Sequence, residues 1–153
     1  MKIGDYFDLI TGTSIGGILA LGLASGKSAR ELLEKFESSA SSIFPPDRFK
    51  WKKFWTLFRP IYKSEPLYET VKSMIGDTVK FEDLQRRVMI TSLNLSTGKP
   101  KFFKTPHNPN FNYDREIRLI DAAMATSAAP TYFKPHFIKD AGHYFADGGL
   151  VAN

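Results

Sequence analysis

A chain of 153 residues can bury one core without cross-links, and the absence of cysteine excludes a thiolate nucleophile, a cysteine-based zinc site and a disulfide framework. Lys and Arg number 21 against 16 Asp and Glu, a net charge of +5, and the excess is concentrated, since Arg48 to Lys63 holds six basic residues and no acid. No run reaches the roughly 18 unbroken apolar residues of a spanning helix. Without cysteine or a Sec leader the expected location is cytoplasmic, export by another route being left open.

In chain order, Tyr6 to Thr11 is apolar enough for a strand, and Ile15 to Ala24 is a run of small and apolar residues suited to a packed helix. Between them Gly12-Thr13-Ser14-Ile15-Gly16 has the G-x-S-x-G form of a nucleophile elbow, a strained turn that lifts a serine hydroxyl clear of a sheet. Gly12 and Gly16 are expected where strand and helix approach most closely and a Cβ would clash. Ser28-Ala29-Arg30-Glu31 has the form of a capping box. The helix it opens places Leu32, Leu33, Phe36, Ala40 and Phe44 on one face until Pro45-Pro46 stops it.

Ser64-Glu65-Pro66 opens another helix, with Leu67, Val71, Met74 and Ile75 inward and Gly76-Asp77 at its end, and Phe81 to Leu84 reads as a short turn. Arg87 to Leu95 alternates as a strand, Ser96 to Pro100 carries turn chemistry, and Lys101 to Lys104 returns as its partner. His107 to Asn112 reads as a loop. Ile117 to Ala129 is a small-residue helix ended by Pro130, in which Asp121 and Ser127 are cap and packing residues. Tyr132-Phe133 and Tyr144 to Ala146 are short strands, the second running into Asp147-Gly148-Gly149. Strands interleaved with helices predict a single α/β domain over 1–153, a three-layer sandwich around a largely parallel sheet.

A serine hydroxyl must lose its proton as it attacks, so the elbow needs a base within hydrogen-bond reach. His107, His136, His143 and the carboxylates are candidates. Asp147 stands out because Gly148 and Gly149 let the chain turn away from the end of an apolar strand, leaving the carboxylate to project. The Ile15 N–H, just after the nucleophile at a helix start, is the expected oxyanion donor. The three histidines show no ligand spacing, so no metal site is expected.

Gly-Thr-Ser-Ile-Gly at 12–16, Ala-Thr-Ser-Ala-Ala-Pro-Thr-Tyr-Phe at 125–133 and Asp-Gly-Gly at 147–149, in that order, resemble the patatin-like phospholipases and acyl hydrolases. The resemblance runs from about Phe7 to Asn153. It implies a catalytic dyad of Ser14 and Asp147, no histidine, metal or cofactor in the chemistry, and hydrolysis of a lipid ester through an acyl-serine intermediate. Family members also carry a glycine-rich oxyanion loop upstream of the elbow, which has no counterpart in MKIGDY, and the chain stops four residues after Gly149. The expectation is therefore a domain truncated at both ends, with weak or no hydrolysis by this chain.

The basic segment interleaves aromatics: at helical spacing Trp51, Phe54, Trp55 and Phe58 share a face, with Lys50, Lys52, Lys53 and Arg59 beside and behind it. That pattern suits either a membrane interface, implying peripheral contact with a phospholipid surface, or a cap helix over the acyl pocket. No recognised nucleic-acid fold accompanies the patch, and the sequence does not set an oligomeric state. Two other functions compete: a Ser-His-Asp esterase using His136, His143 or a histidine beyond this segment, and a catalytically dead lipid-binding module that has kept the fold.

Overall fold

Helix and strand boundaries follow local chemistry wherever that chemistry is strong. The computed structural model describes residues 2–45 and 60–152. A 3-10 turn at Ile3–Tyr6 precedes strand β1 (Leu9–Gly12), which passes through the elbow into helix α1 (Ile15–Ala24). Helix α2 (Ala29–Ile43) begins with the predicted capping box, in which the Glu31 N–H donates to Ser28 Oγ and the Ser28 N–H to Glu31 Oε2 at 2.7 Å. Only Leu32 and Ile43 of α2 are buried, whereas Leu33 and Phe44 are exposed. The apolar face read from sequence is thus broader than the stripe the core accepts. Helix α3 (Glu65–Ile75) buries all four of its predicted inward residues.

Strands β2 (Arg87–Asn94) and β3 (Lys99–Lys104) form the expected hairpin. Helix α4 (Leu119–Thr126) is shorter than the predicted 117–129. Tyr132-Phe133 is a turn rather than a strand: Thr131 has φ 71°, and the N–H groups of Tyr132 and Phe133 both donate to Ala129 O. The extended pair lies further on, as β4 (His136–Ile138) and β5 (His143–Asp147).

The α/β class stands, but the sheet is mixed and not largely parallel. Among the described residues only β1 and β2 run parallel, while β2–β3, β2–β5 and β4–β5 are antiparallel. Connection length explains the difference. A parallel pair needs a crossover, and the β1-to-β2 connection supplies one with α1, α2 and α3, whereas β3 follows β2, and β5 follows β4, through tight turns containing Gly98 (φ 68°) and Gly142 (φ 67°).

One consequence of the pairing positions the site. Strand β3 takes one edge of β2 along Met89 to Asn94. The other edge is shared: β1 pairs with Arg87 to Ile90 and β5 with Ser92 to Asn94, from opposite directions. The C-terminal ends of β1 and β5 therefore point at each other, Gly12 opposite Ile90 and Asp147 opposite Ser92. Helices α1 and α4 pack on one sheet face, α2 and α3 behind them. Phe81, Phe103 and Phe145 are buried together, the last two with ring centroids 5.3 Å apart. Leu9, Phe102, Phe137 and Tyr144, from strands of the same sheet, are exposed.

Candidate active site

Gly12 ends β1 where the chain folds back so tightly that a Cβ there would lie 2.2 Å from Gly16 O. No side chain fits. Gly16 itself does not need to be glycine for that reason, because a Cβ at residue 16 meets nothing within 4 Å. The second close approach falls one residue later, at Gly17, where a Cβ would stand 2.8 Å from Thr126 Cγ2 and 3.3 Å from Ile90 Cγ2.

Ser14 has φ 56° and ψ −129°, backbone geometry that costs a non-glycine residue about 1–3 kcal/mol. Four hydrogen bonds hold it there. Its carbonyl accepts from Gly17 N–H and Ile18 N–H at 2.9 and 3.2 Å, opening α1, its N–H donates to Thr126 Oγ1 at 2.9 Å, and its hydroxyl donates to Asp147 Oδ2 at 2.6 Å. The N–H groups of Ile15 and Gly16 head α1 without a backbone or side-chain acceptor among the described residues, and both residues are exposed. They are the donors available to an anion forming at the serine.

Asp147 is buried at the end of β5, and its two oxygens divide the work. Oδ2 takes the Ser14 hydroxyl, and Oδ1 accepts from Gly149 N–H at 2.7 Å in the turn Gly148–Leu150. Gly148 is obligatory, since a Cβ would lie 2.2 Å from Thr91 Oγ1. At Gly149 an added Cβ would be a tight 3.1 Å from Asp147 Oδ1. The Asp147 N–H donates to Ala128 O at 3.0 Å. Thr91 sits on β2 between the levels of Gly12 and Asp147. The Thr13 hydroxyl donates to Ala152 O at 2.9 Å, which leaves Thr91 as donor in the 2.7 Å contact between the two threonine hydroxyls.

Histidine takes no part in these contacts among the described residues. His136 Nε2 lies 3.0 Å from Asp121 Oδ1, His107 Nδ1 lies 3.1 Å from Thr105 Oγ1, and His143 packs its ring near Phe145. Asp121 is buried at the start of α4 and also takes Arg118 Nε at 2.8 Å. Burial alone would push its carboxyl up, but hydrogen bonds from His136 and Arg118 outweigh this and hold it below the usual carboxylate range. Trp51, Phe54, Trp55, Phe58, Lys50, Lys52 and Lys53 lie outside the described residues. Sequence reasoning missed Thr91, Gly17 and the contact of Thr126, although Thr126 belongs to the ATSAAP motif.

Comparison with known proteins adds relatives to this geometry. The chain is 65% identical over 153 residues to a protein of Escherichia coli named cGAMP-activated phospholipase, covering all of this chain and 43% of the relative. It is 61% identical over 160 residues to a Vibrio cholerae protein of the same name, covering 99% of this chain and 44% of that one. Patatin-like protein 2 of Arabidopsis thaliana is 32% identical over 170 residues, covering 99% and 41%. The chain thus spans less than half the length of the curated relatives it matches. Among solved structures, VipD from Legionella pneumophila shares the fold at a TM-score of 0.52 and 11% identity, covering 95% of this chain and 40% of that one. The patatin-like phospholipase family model matches residues 2–153, and with the relatives just described it shows that this chain belongs to the patatin-like phospholipase family.

Proposed function

We propose that the protein hydrolyses lipid esters with Ser14 as nucleophile and Asp147 as its base. The 2.6 Å hydrogen bond from Ser14 Oγ to Asp147 Oδ2 carries the reading, because it puts the acceptor on the hydroxyl that must be deprotonated. As Oγ attacks the ester carbonyl, its proton passes to Asp147 and the carbonyl oxygen becomes anionic. The Ile15 N–H, with that of Gly16 beside it, stabilises this charge at the positive end of α1. Collapse expels the alcohol, which takes the proton from Asp147. Water then attacks the acyl-serine by the same route, giving the free fatty acid and restoring the hydroxyl.

An aspartate is a weak proton acceptor for a serine hydroxyl, so transfer must accompany attack and the oxyanion donors carry much of the acceleration. Removing one such donor costs about 100- to 1000-fold in kcat. The donors at hand among the described residues come from one helix start, and residues 1–153 alone are therefore expected to turn over slowly. In the full-length protein, Ser14→Ala and Asp147→Asn should each reduce fatty-acid release from phospholipid vesicles by at least about 1000-fold. Full activity in either variant would refute the dyad, and activity in Ser14→Ala in particular would exclude an acyl-serine there. If the wild-type full-length protein releases no fatty acid, the lipid-binding module is the better reading.

The names of the E. coli and V. cholerae relatives support a further element, activation of the whole protein by cGAMP. Hydrolysis with and without added cGAMP tests it directly. The basic-aromatic segment supports peripheral attachment at the cytoplasmic face of a membrane, where the lysines would meet anionic headgroups and the tryptophans the interface.

A further inference from the structure

We propose that Thr126 is a positioning residue that holds the elbow in its strained conformation, so that Ser14 stays on Asp147. The inference rests on the reading of Ser14 as nucleophile and adds the element that keeps it aligned. Hydroxyls on helices commonly return to their own backbone, and here Thr70 donates to Pro66 O at 2.8 Å and Ser127 to Ala123 O at 2.7 Å. Thr126, fully buried at the last residue of α4, instead offers Oγ1 to the N–H of Ser14, 112 residues away in sequence.

Two residues later Ala128 O accepts the N–H of Asp147. One short stretch therefore grips both halves of the dyad by their backbones, through a side chain on one side and a carbonyl on the other. The grip matters most at Ser14. Its hydrogen bond fixes the plane of the Thr13–Ser14 peptide; were that plane free to turn and φ to relax from 56° to a negative value, Oγ would leave Asp147 and the Ile15 N–H would change direction. The Thr126 methyl has a further task, since Cγ2 comes nearest the bare side of Gly17, 2.8 Å from where a Cβ would stand against 3.1 Å for Oγ1. Hydroxyl and methyl can therefore be tested apart.

In the full-length protein, Thr126→Val keeps the shape and removes the acceptor, while Thr126→Ser keeps the acceptor and removes the methyl. A donor left without its acceptor corresponds to roughly a tenfold to hundredfold effect. Thr126→Val should lower kcat on phospholipid vesicles by that factor with KM within about twofold. It should also speed hydrogen exchange of the Ser14 amide by a similar factor, leaving the Ile90 amide in β2 unchanged. Thr126→Ser should retain kcat within about threefold and keep the Ser14 amide protected. If the valine form does not fold, Thr126→Ala supplies the same comparison. A serine variant as impaired as valine would show that packing on Gly17 is what counts, and normal kcat and protection in Thr126→Val would equally overturn the proposal. Undiminished hydrolysis by Ser14→Ala would instead refute the nucleophile, while the exchange experiment would still decide what Thr126 holds.

Discussion

Alanine at the two glycines of the G-x-S-x-G motif should have opposite effects on stability. A Cβ at residue 12 would lie 2.2 Å from Gly16 O, 2.4 Å from Gly16 C and 2.7 Å from Gly17 N, where ordinary contact begins at 3.4 Å. All three are backbone atoms in the first turn of α1, which the Ser14 carbonyl holds through Gly17 and Ile18. Relief requires β1 and α1 to separate, so Gly12→Ala should cost about 3 kcal/mol, the upper end of what overpacking does in a core that can adjust. At residue 16 no atom lies within 4 Å of an added Cβ, and alanine should gain about 0.5–1 kcal/mol from its better helix propensity. For a unit of this size, 1 kcal/mol moves Tm by about 2–4 °C. Thermal unfolding of the full-length variants should therefore show a fall of about 6–12 °C for Gly12→Ala and a rise of about 1–4 °C for Gly16→Ala. Equal losses from both substitutions, or tolerance at residue 12, would refute the reasoning from close approach.

Acid should weaken the fold partly through Asp121. Its carboxyl is held below the ordinary range in the folded state, so it binds fewer protons there than in the unfolded chain. Its stabilising contribution is present above the unfolded pKa of about 3.9 and is lost as pH falls below about 4 through the folded value. Denaturation midpoints should show wild type more stable than Asp121→Asn at neutral pH, with the gap narrowing below about pH 4; a constant gap would mean that this carboxyl does not titrate with folding. For the basic-aromatic segment, Trp51→Ala with Trp55→Ala in the full-length protein should weaken vesicle binding more than hydrolysis of a soluble ester. Equal loss of both would favour a cap packed over the pocket.

Much of the site could be read from sequence because its signals are local. The elbow needs only five residues in a strand-to-helix setting, and the helix boundaries Ile15–Ala24 coincide with the predicted run. The capping box at Ser28 and Glu31 and the inward set of α3 depend on spacings within one or two turns. Strand direction is a different matter, set by what the connections carry and by which edge of β2 is free. Strand β4 has only three residues, follows Pro135 and begins with His136, so neither length nor composition announces it. Leu33 has an apolar side chain at a position the core does not reach, and periodicity alone cannot distinguish it from Leu32. The second glycine of close approach was misplaced by one residue for a similar reason: the motif names Gly16, but the packing partners that select Gly17 are Thr126 and Ile90, distant in sequence.

The shared edge of β2 also governs when during synthesis the serine could acquire its partner. Residues 14 and 147 are separated by nearly the whole segment, and β5 cannot dock until the last part of it has left the ribosome. A growing chain would carry a serine with no carboxylate beside it until residue 147 had emerged and β5 had paired. For a protein proposed to attack lipids, that order of events would leave any copy that stops short of β5 without the dyad.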